Sequence, residues 1–279
     1  MAENSPYSEE QEIENEIDEE LLLLLALAFL TAASSITISQ FSFNDFPLVQ
    51  DRFKSESSAI LPKLQESSNN AIQIGLSRTS SELNLKDLHF DYSDQRVMDN
   101  VLRAFNNNFE LLLQTNQAMF EELLRVADER GWDDKELARR LKLYYGLTPR
   151  YLKTVLAMED ALKAEGLSKK VIKDRVQKRI DQLIEHRIRL TSALIGTQVV
   201  EGSKEVAFNY LVESGQVDIG KYVKEWVSRI DGDTSQGCLS SHKMIAEIGG
   251  VFPNGYSSPP NLDVPHPCRS SIRIIKRPN

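Results

Sequence analysis

Both cysteines, Cys238 and Cys268, and two of the four histidines, His242 and His266, fall within the last 42 residues of a 279-residue chain. Thiolate sulfur and imidazole nitrogen are ligands that zinc accepts in a tetrahedral site, so the four together form a candidate zinc set. Asp233 or Thr234 can cap a short helix running to about Ile248 and stopped by Gly249-Gly250. On it Cys238 and His242 lie four apart and share a face. A loop rich in Gly, Pro, Ser and Asn returns the chain to His266 and Cys268, which share a face if that segment is extended. A metal staple would supply on the order of 10 kcal/mol to a module this poor in regular structure. The spacing is not a standard zinc pattern. The same residues fit two inert buried thiols, a Cys238–Cys268 disulfide formed after release from the cell, or a Cys–His nucleophilic pair. A catalytic pair also needs an orienting group and an oxyanion site. The sequence names neither, so no catalytic residue is assigned and a non-enzymatic role is expected.

The elements that must position this cluster read as helices. Val97, Val101, Phe105, Phe109, Leu112, Met119, Leu123 and Val126 recur at helical spacing between Asp94, a possible cap, and Gly131, a possible stop; they predict one long helix or two stacked end to end. A second helix spans Asp133 to Tyr145, capped by Asp133 or Asp134. A third runs from Thr148, followed by Pro149 at the first turn, to Glu165 and Gly166. A fourth opens at Ser168 with Ile172, Val176, Ile180, Ile184 and Ile188 as a strip every four residues. A fifth covers Leu190 to Glu213 and ends at Gly215. Ser34 to Ser93 reads as short helices and loops. The expected fold is mainly α, a long-helix body with a small C-terminal α+β module. It divides into an acidic arm (1–20), N-terminal helices and loops with a docking role (21–93), a helical body (94–215) and the module (216–279).

Around the isoleucine strip stand Lys169, Lys170, Lys173, Arg175, Lys178, Arg179, Arg187 and Arg189, candidates for contact with DNA phosphates through counterion release. Glu165, Asp174, Asp181 and Glu185 are interspersed with them, and no aromatic residues alternate to stack bases, which favours a solvated face. Arg269, Arg273, Lys276 and Arg277 close the chain as a second basic group.

Net charge is −8, yet residues 1–20 hold nine acidic side chains and no Lys or Arg; without them the remainder is +1. The acidity belongs to an arm. Leu21 to Ala33 comes next, interrupted only by Thr31. Thirteen residues are too short to span a membrane, and the negative flank is wrong for a secretory signal. A helix packed on the protein's own core, or docked through Leu21, Leu22, Leu25, Leu27 and Phe29 on a partner with a basic rim around an apolar groove, is expected, with no membrane. Two cysteines in this length favour assembly in a reducing cytosol. A phosphate-binding glycine loop, His-Glu-x-x-His, Gly-x-Ser-x-Gly and an EF-hand loop are all absent from the sequence.

Thr191-Ser192-Ala193-Leu194-Ile195-Gly196-Thr197-Gln198, Ala207-Phe208-Asn209 with Gly215, Lys224-Glu225-Trp226, Asp231, Asp233-Thr234, Cys238, Gly249 to Phe252, Pro259-Pro260 and His266-Pro267-Cys268-Arg269 form an ordered run. It resembles the signatures of phage Mu protein F-like minor head proteins, or phage head morphogenesis proteins, over roughly Asp133 to Ile275. The resemblance implies a minor capsid component of a tailed bacteriophage. Such a protein acts in procapsid assembly in the host bacterial cytoplasm and belongs to the head interior, with the portal protein, the major capsid protein or a scaffolding protein as partner. It also implies an alternative, a DNA-binding protein in the virion that aids packaging or ejection of double-stranded DNA. Family members often carry Cys-x-x-Cys where this chain has Ser235 and Cys238, and Cys-Arg-Cys where it has Cys268-Arg269-Ser270. A four-cysteine site is thereby out of reach, leaving His242 and His266 to complete a tetrahedron.

Overall fold

The computed structural model describes residues 27, 31–34, 36, 46–58, 73, 75, 77–83, 95–228, 230, 235–257, 259 and 270–278. Helix α1 spans Phe46–Ser58, α2 Gln95–Arg130, α3 Asp134–Tyr144, α4 Pro149–Ala164 and α5 Lys169–Glu213. A 3₁₀ turn at Ile219–Lys221 leads into β1 (Tyr222–Val227), α6 (Gln236–Ser241), β2 (Ile245–Ala246) and β3 (Ser271–Lys276). The protein is mainly α with a small three-stranded antiparallel sheet at its C-terminal end. Among the described residues no helix is long and apolar enough to cross a membrane.

Local chemistry sets the helix ends. The carboxylate of Asp133 accepts the Glu136 N–H at 2.7 Å, and the Thr148 hydroxyl accepts the Tyr151 N–H at 3.2 Å with Pro149 next in line. Each satisfies an amide that the first helical turn leaves without a backbone partner. Gly131 closes α2 at φ +66°, a conformation in which a Cβ would be strained. α2 is one helix rather than two, and its Asp94 cap lies outside the described residues.

The break expected at Leu190 does not occur, because α5 runs unbroken for 45 residues. The physical reason is a period of four. Ile172, Val176, Ile180, Ile184, Ile188, Ser192, Gly196, Val200, Lys204 and Phe208 form one strip, buried except for half-buried Ile184. Four residues overshoot a 3.6-residue turn by about 40°, so nine steps carry the strip once round the helix. What reads as the end of a helix is the rotation of its buried face.

The described residues fall into two compact units, one drawn from 62–106 and 190–279, the other from 21–61 and 107–189; the divisions lie inside α2 and α5. The second, the helical unit, packs α1 against α2 by stacking Phe46 on Phe120, ring centroids 3.8 Å apart, and Phe53 on Phe109 at 5.2 Å. Leu137, Leu141, Leu152, Val155 and Ile180 fill its centre.

In the first, the C-terminal unit, strand order is β2-β1-β3, with Lys224 opposite both Ala246 and Ile274, and Trp226 opposite Ile272. Directly opposed residues share a face. Lys224, Trp226, Ala246, Ile272 and Ile274 therefore form the inner face, and all are buried. Ile274 joins Phe208, Leu211 and Val217 in one core cluster, while Trp226, Ala246 and Phe252 make another. The residues after Gly215 thus share a core with the C-terminal part of α5.

The expected helix to Ile248 is a correction. α6 ends at Ser241, because Lys243 turns the chain at φ +66° and β1 captures the backbone on either side of that turn. Lys243 N–H donates to Trp226 O at 2.7 Å, and Trp226 N–H to Met244 O at 2.8 Å. Ser235 supplies the cap, accepting the Cys238 N–H at 3.2 Å; Asp233 and Thr234 lie outside the described residues.

Candidate functional site

Cys238 sits buried on α6, and His242 is the capping residue just beyond it, half-buried. Ser228, the residue after β1, ties both down. Its N–H donates to His242 Nδ1 at 3.1 Å, and its hydroxyl donates to Cys238 O at 2.7 Å. The Ser228 hydroxyl also lies 3.0 Å from that of Ser270, which precedes β3. The structure therefore brings Cys238, His242 and the start of β3 together; His266 and Cys268 lie outside the described residues.

The hydrogen bond to Nδ1 decides what His242 can do. Accepting the Ser228 N–H uses the Nδ1 lone pair and, in the neutral ring, places the proton on Nε2. In that state Nδ1 is engaged and Nε2 carries the proton, so a metal at His242 would require the Ser228 contact to give way or the proton to change nitrogen. As built, the described half of the cluster is a hydrogen-bonded joint between β1, α6 and β3.

The basic run on α5 is divided by its surroundings. Arg187 is a correction, being 6% exposed and therefore unable to reach a phosphate. Its Nη1 donates to Asn116 Oδ1 at 2.9 Å and Gly146 O at 2.7 Å, and its Nη2 to Leu112 O at 3.3 Å. Burial lowers its pKa to about 10. Arg189 pairs with Glu185 at 2.8 Å. Lys169 and Lys173 edge an apolar groove. Lys170, Arg175 and Lys178 are exposed and Arg179 half-exposed, but they do not form a single stripe. In the C-terminal basic group, Arg273 pairs with Glu225 at 2.5 Å and Arg277 with Glu247 at 2.6 Å. Arg269 lies outside the described residues.

That groove, of about 1120 Å³, runs along α5 within the helical unit. Ile172, Val176, Ile180, Ile184 and Ile188 line it on the α5 side, and Arg139, Lys142, Lys163, Lys169 and Lys173 also border it. Two further border residues, Arg140 and Glu159, form a buried ion pair. The Tyr144 hydroxyl joins that pair, and the Arg140 guanidinium lies 5.0 Å from the Trp132 ring centroid. Burial works to raise Glu159, but hydrogen bonds from Arg140 and Lys163 overcome it and hold the carboxyl at about 2. Tyr144 is pushed up to about 12 by burial. Of the docking candidates, Leu27 is helical and 59% exposed; Leu21, Leu22, Leu25 and Phe29 lie outside the described residues.

A third arrangement closes the outer edge of β3. Ile272 N–H donates to Glu201 Oε2 at 2.6 Å and Ile274 N–H to Glu82 Oε2 at 2.9 Å. The Lys204 ammonium donates to Ile272 O and to Glu82 Oε1. Two carboxylates and an ammonium thus stand where a fourth strand would. Glu201 is raised, burial outweighing the attraction of Lys204 and the Ile272 N–H. Sequence reasoning missed this clamp. Its one local signal is Lys204 occupying a position of the buried α5 strip.

Among known proteins, the chain matches no family model, no curated protein and no solved structure.

Proposed function

We propose that the chain is a minor head protein of a tailed bacteriophage, acting as a structural part in procapsid assembly. The observation that carries this reading is where the residues of the resemblance fall. Ser192, Gly196, Ala207, Phe208, Trp226, Cys238, Phe252 and Pro259 are all buried. They specify how the C-terminal part of α5 and the sheet pack, and Ser228 beside them is engaged in hydrogen bonds that hold α6 and the start of β3. Residues committed to packing define a shape for partners to meet. In this reading the partners are the portal and the major capsid or scaffolding protein, and the place is the head interior, reached by assembly in the host cytoplasm.

The DNA-binding alternative is less well supported. Of its eight basic residues, Arg187 is buried, Arg189 is paired and the remainder are spread around α5.

Cryo-electron microscopy and mass spectrometry of procapsids and mature particles test the proposal. The expected result is a few copies per particle at the portal or inner shell, with malformed or empty heads when the gene is deleted. Absence from both kinds of particle would end it.

A further inference from the structure

We propose that the side chains of Lys204 and Glu82 condense to an amide, a covalent tie that the folded chain forms within its own C-terminal unit. Both reactants are in place. The Lys204 ammonium stands 2.9 Å from Glu82 Oε1, on side chains that are 3% and 19% exposed. Lys204 belongs to α5 and Glu82 to the helical segment 77–83, so the bond joins two elements 122 residues apart in sequence.

The surroundings are those an acyl transfer needs. Burial penalises the ammonium and the carboxylate alike, and passing one proton between them gives a neutral amine and a neutral acid. The amine is the nucleophile and the Glu82 carboxyl carbon the electrophile. Contact between them replaces a bimolecular encounter, and low exposure to solvent favours release of water over hydrolysis. The Ile274 N–H donates to Glu82 Oε2 at 2.9 Å, so a backbone donor already faces the oxygen on which negative charge develops. The Ile272 carbonyl accepts from Lys204 Nζ and holds the nucleophile at that edge.

Glu201 carries the protons. It stands one turn before Lys204 on α5, and both reach Ile272, whose N–H donates to Glu201 Oε2 at 2.6 Å. Arg78 lies 3.9 Å from its other oxygen. Burial outweighs these cations and raises its pKa, which favours the acid form that can hand on a proton. The step balances without a co-reactant. One ammonium proton passes to Glu82 Oε1, and Nζ attacks the carboxyl carbon. The bond from that carbon to Oε1 breaks as Glu201 gives Oε1 a proton and takes one from Nζ. A carbon–nitrogen bond replaces a carbon–oxygen bond, one water leaves, and Glu201 ends as it began. None of this depends on a role in phage heads.

Mass spectrometry of the purified, folded full chain, denatured only for the measurement, tests it. The chain should be lighter than its sequence by the mass of one water. Trypsin does not cut after an acylated lysine, so the digest should hold a branched peptide joining residues 79–86 to 190–221. Lys204→Arg keeps a cation without the amine and should show its full sequence mass. Glu201→Gln can still accept the Ile272 N–H but cannot shuttle a proton; in chains shown folded by circular dichroism, most of the cross-linked fraction should be lost. A parent at full sequence mass with trypsin cutting after Lys204 overturns the amide, as does the same loss of water in Lys204→Arg. Complete cross-linking in Glu201→Gln overturns the part given to Glu201.

Discussion

Lys204 and Glu82, 122 residues apart in sequence, meet at 2.9 Å and together hold the outer edge of β3. The ammonium is 3% exposed and also bonds the Ile272 carbonyl. Removing one member of such a group strands the others in a dry site. Lys204→Met should cost about 3–5 kcal/mol in urea unfolding. Adding Glu82→Gln should cost less than the two single losses summed, since the first substitution already leaves the carboxylate uncompensated.

Acid should unfold the helical unit through Glu159. Its folded pKa of about 2 lies below the ordinary 4.5, so the pair with Arg140 contributes fully above about pH 4.5 and is lost as pH falls toward 2. The contribution is on the order of 3 kcal/mol. Unfolding curves of the parent and Glu159→Gln should differ at pH 7 and converge near pH 2. Glu201 works in the opposite sense, because its raised pKa makes the buried charge a cost that protonation relieves as pH falls.

Elemental analysis of purified protein should find well under one zinc per chain, since His242 Nδ1 already accepts the Ser228 N–H. One zinc per chain, lost in Cys238→Ser, would show that the ring turns to a metal instead.

Arg187→Ala should lower stability by about 3 kcal/mol or more, leaving Asn116 Oδ1 and the carbonyls of Gly146 and Leu112 without this donor. Duplex DNA binding, measured by fluorescence anisotropy on protein that remains folded, should not change with it. A selective loss of binding would return Arg187 to the surface reading.

The legibility of the fold in the sequence depends on distance along the chain. Helix ends were readable because caps act within three residues, as at Asp133 and Thr148-Pro149. The continuity of α5 was hidden, since a strip that winds around a helix imitates two helices. β1 was missed because Lys224 and Glu225 interrupt an apolar run, and their burial depends on Ser257 and Arg273, 33 and 48 residues away. Arg187 reads as a surface cation in the sequence because charge alone does not reveal a buried site rich in carbonyl acceptors. The clamp on β3 rests on pairings 68 to 192 residues apart, which no local pattern encodes.

That clamp has a consequence for crowding. An edge strand with free amides invites pairing with the strand of another molecule, and β3 is six residues long. Here side chains occupy the amides of Ile272 and Ile274, and the opposite flank of the sheet is only the two residues Ile245–Ala246. Neighbouring molecules can press together without their sheets zipping into fibres.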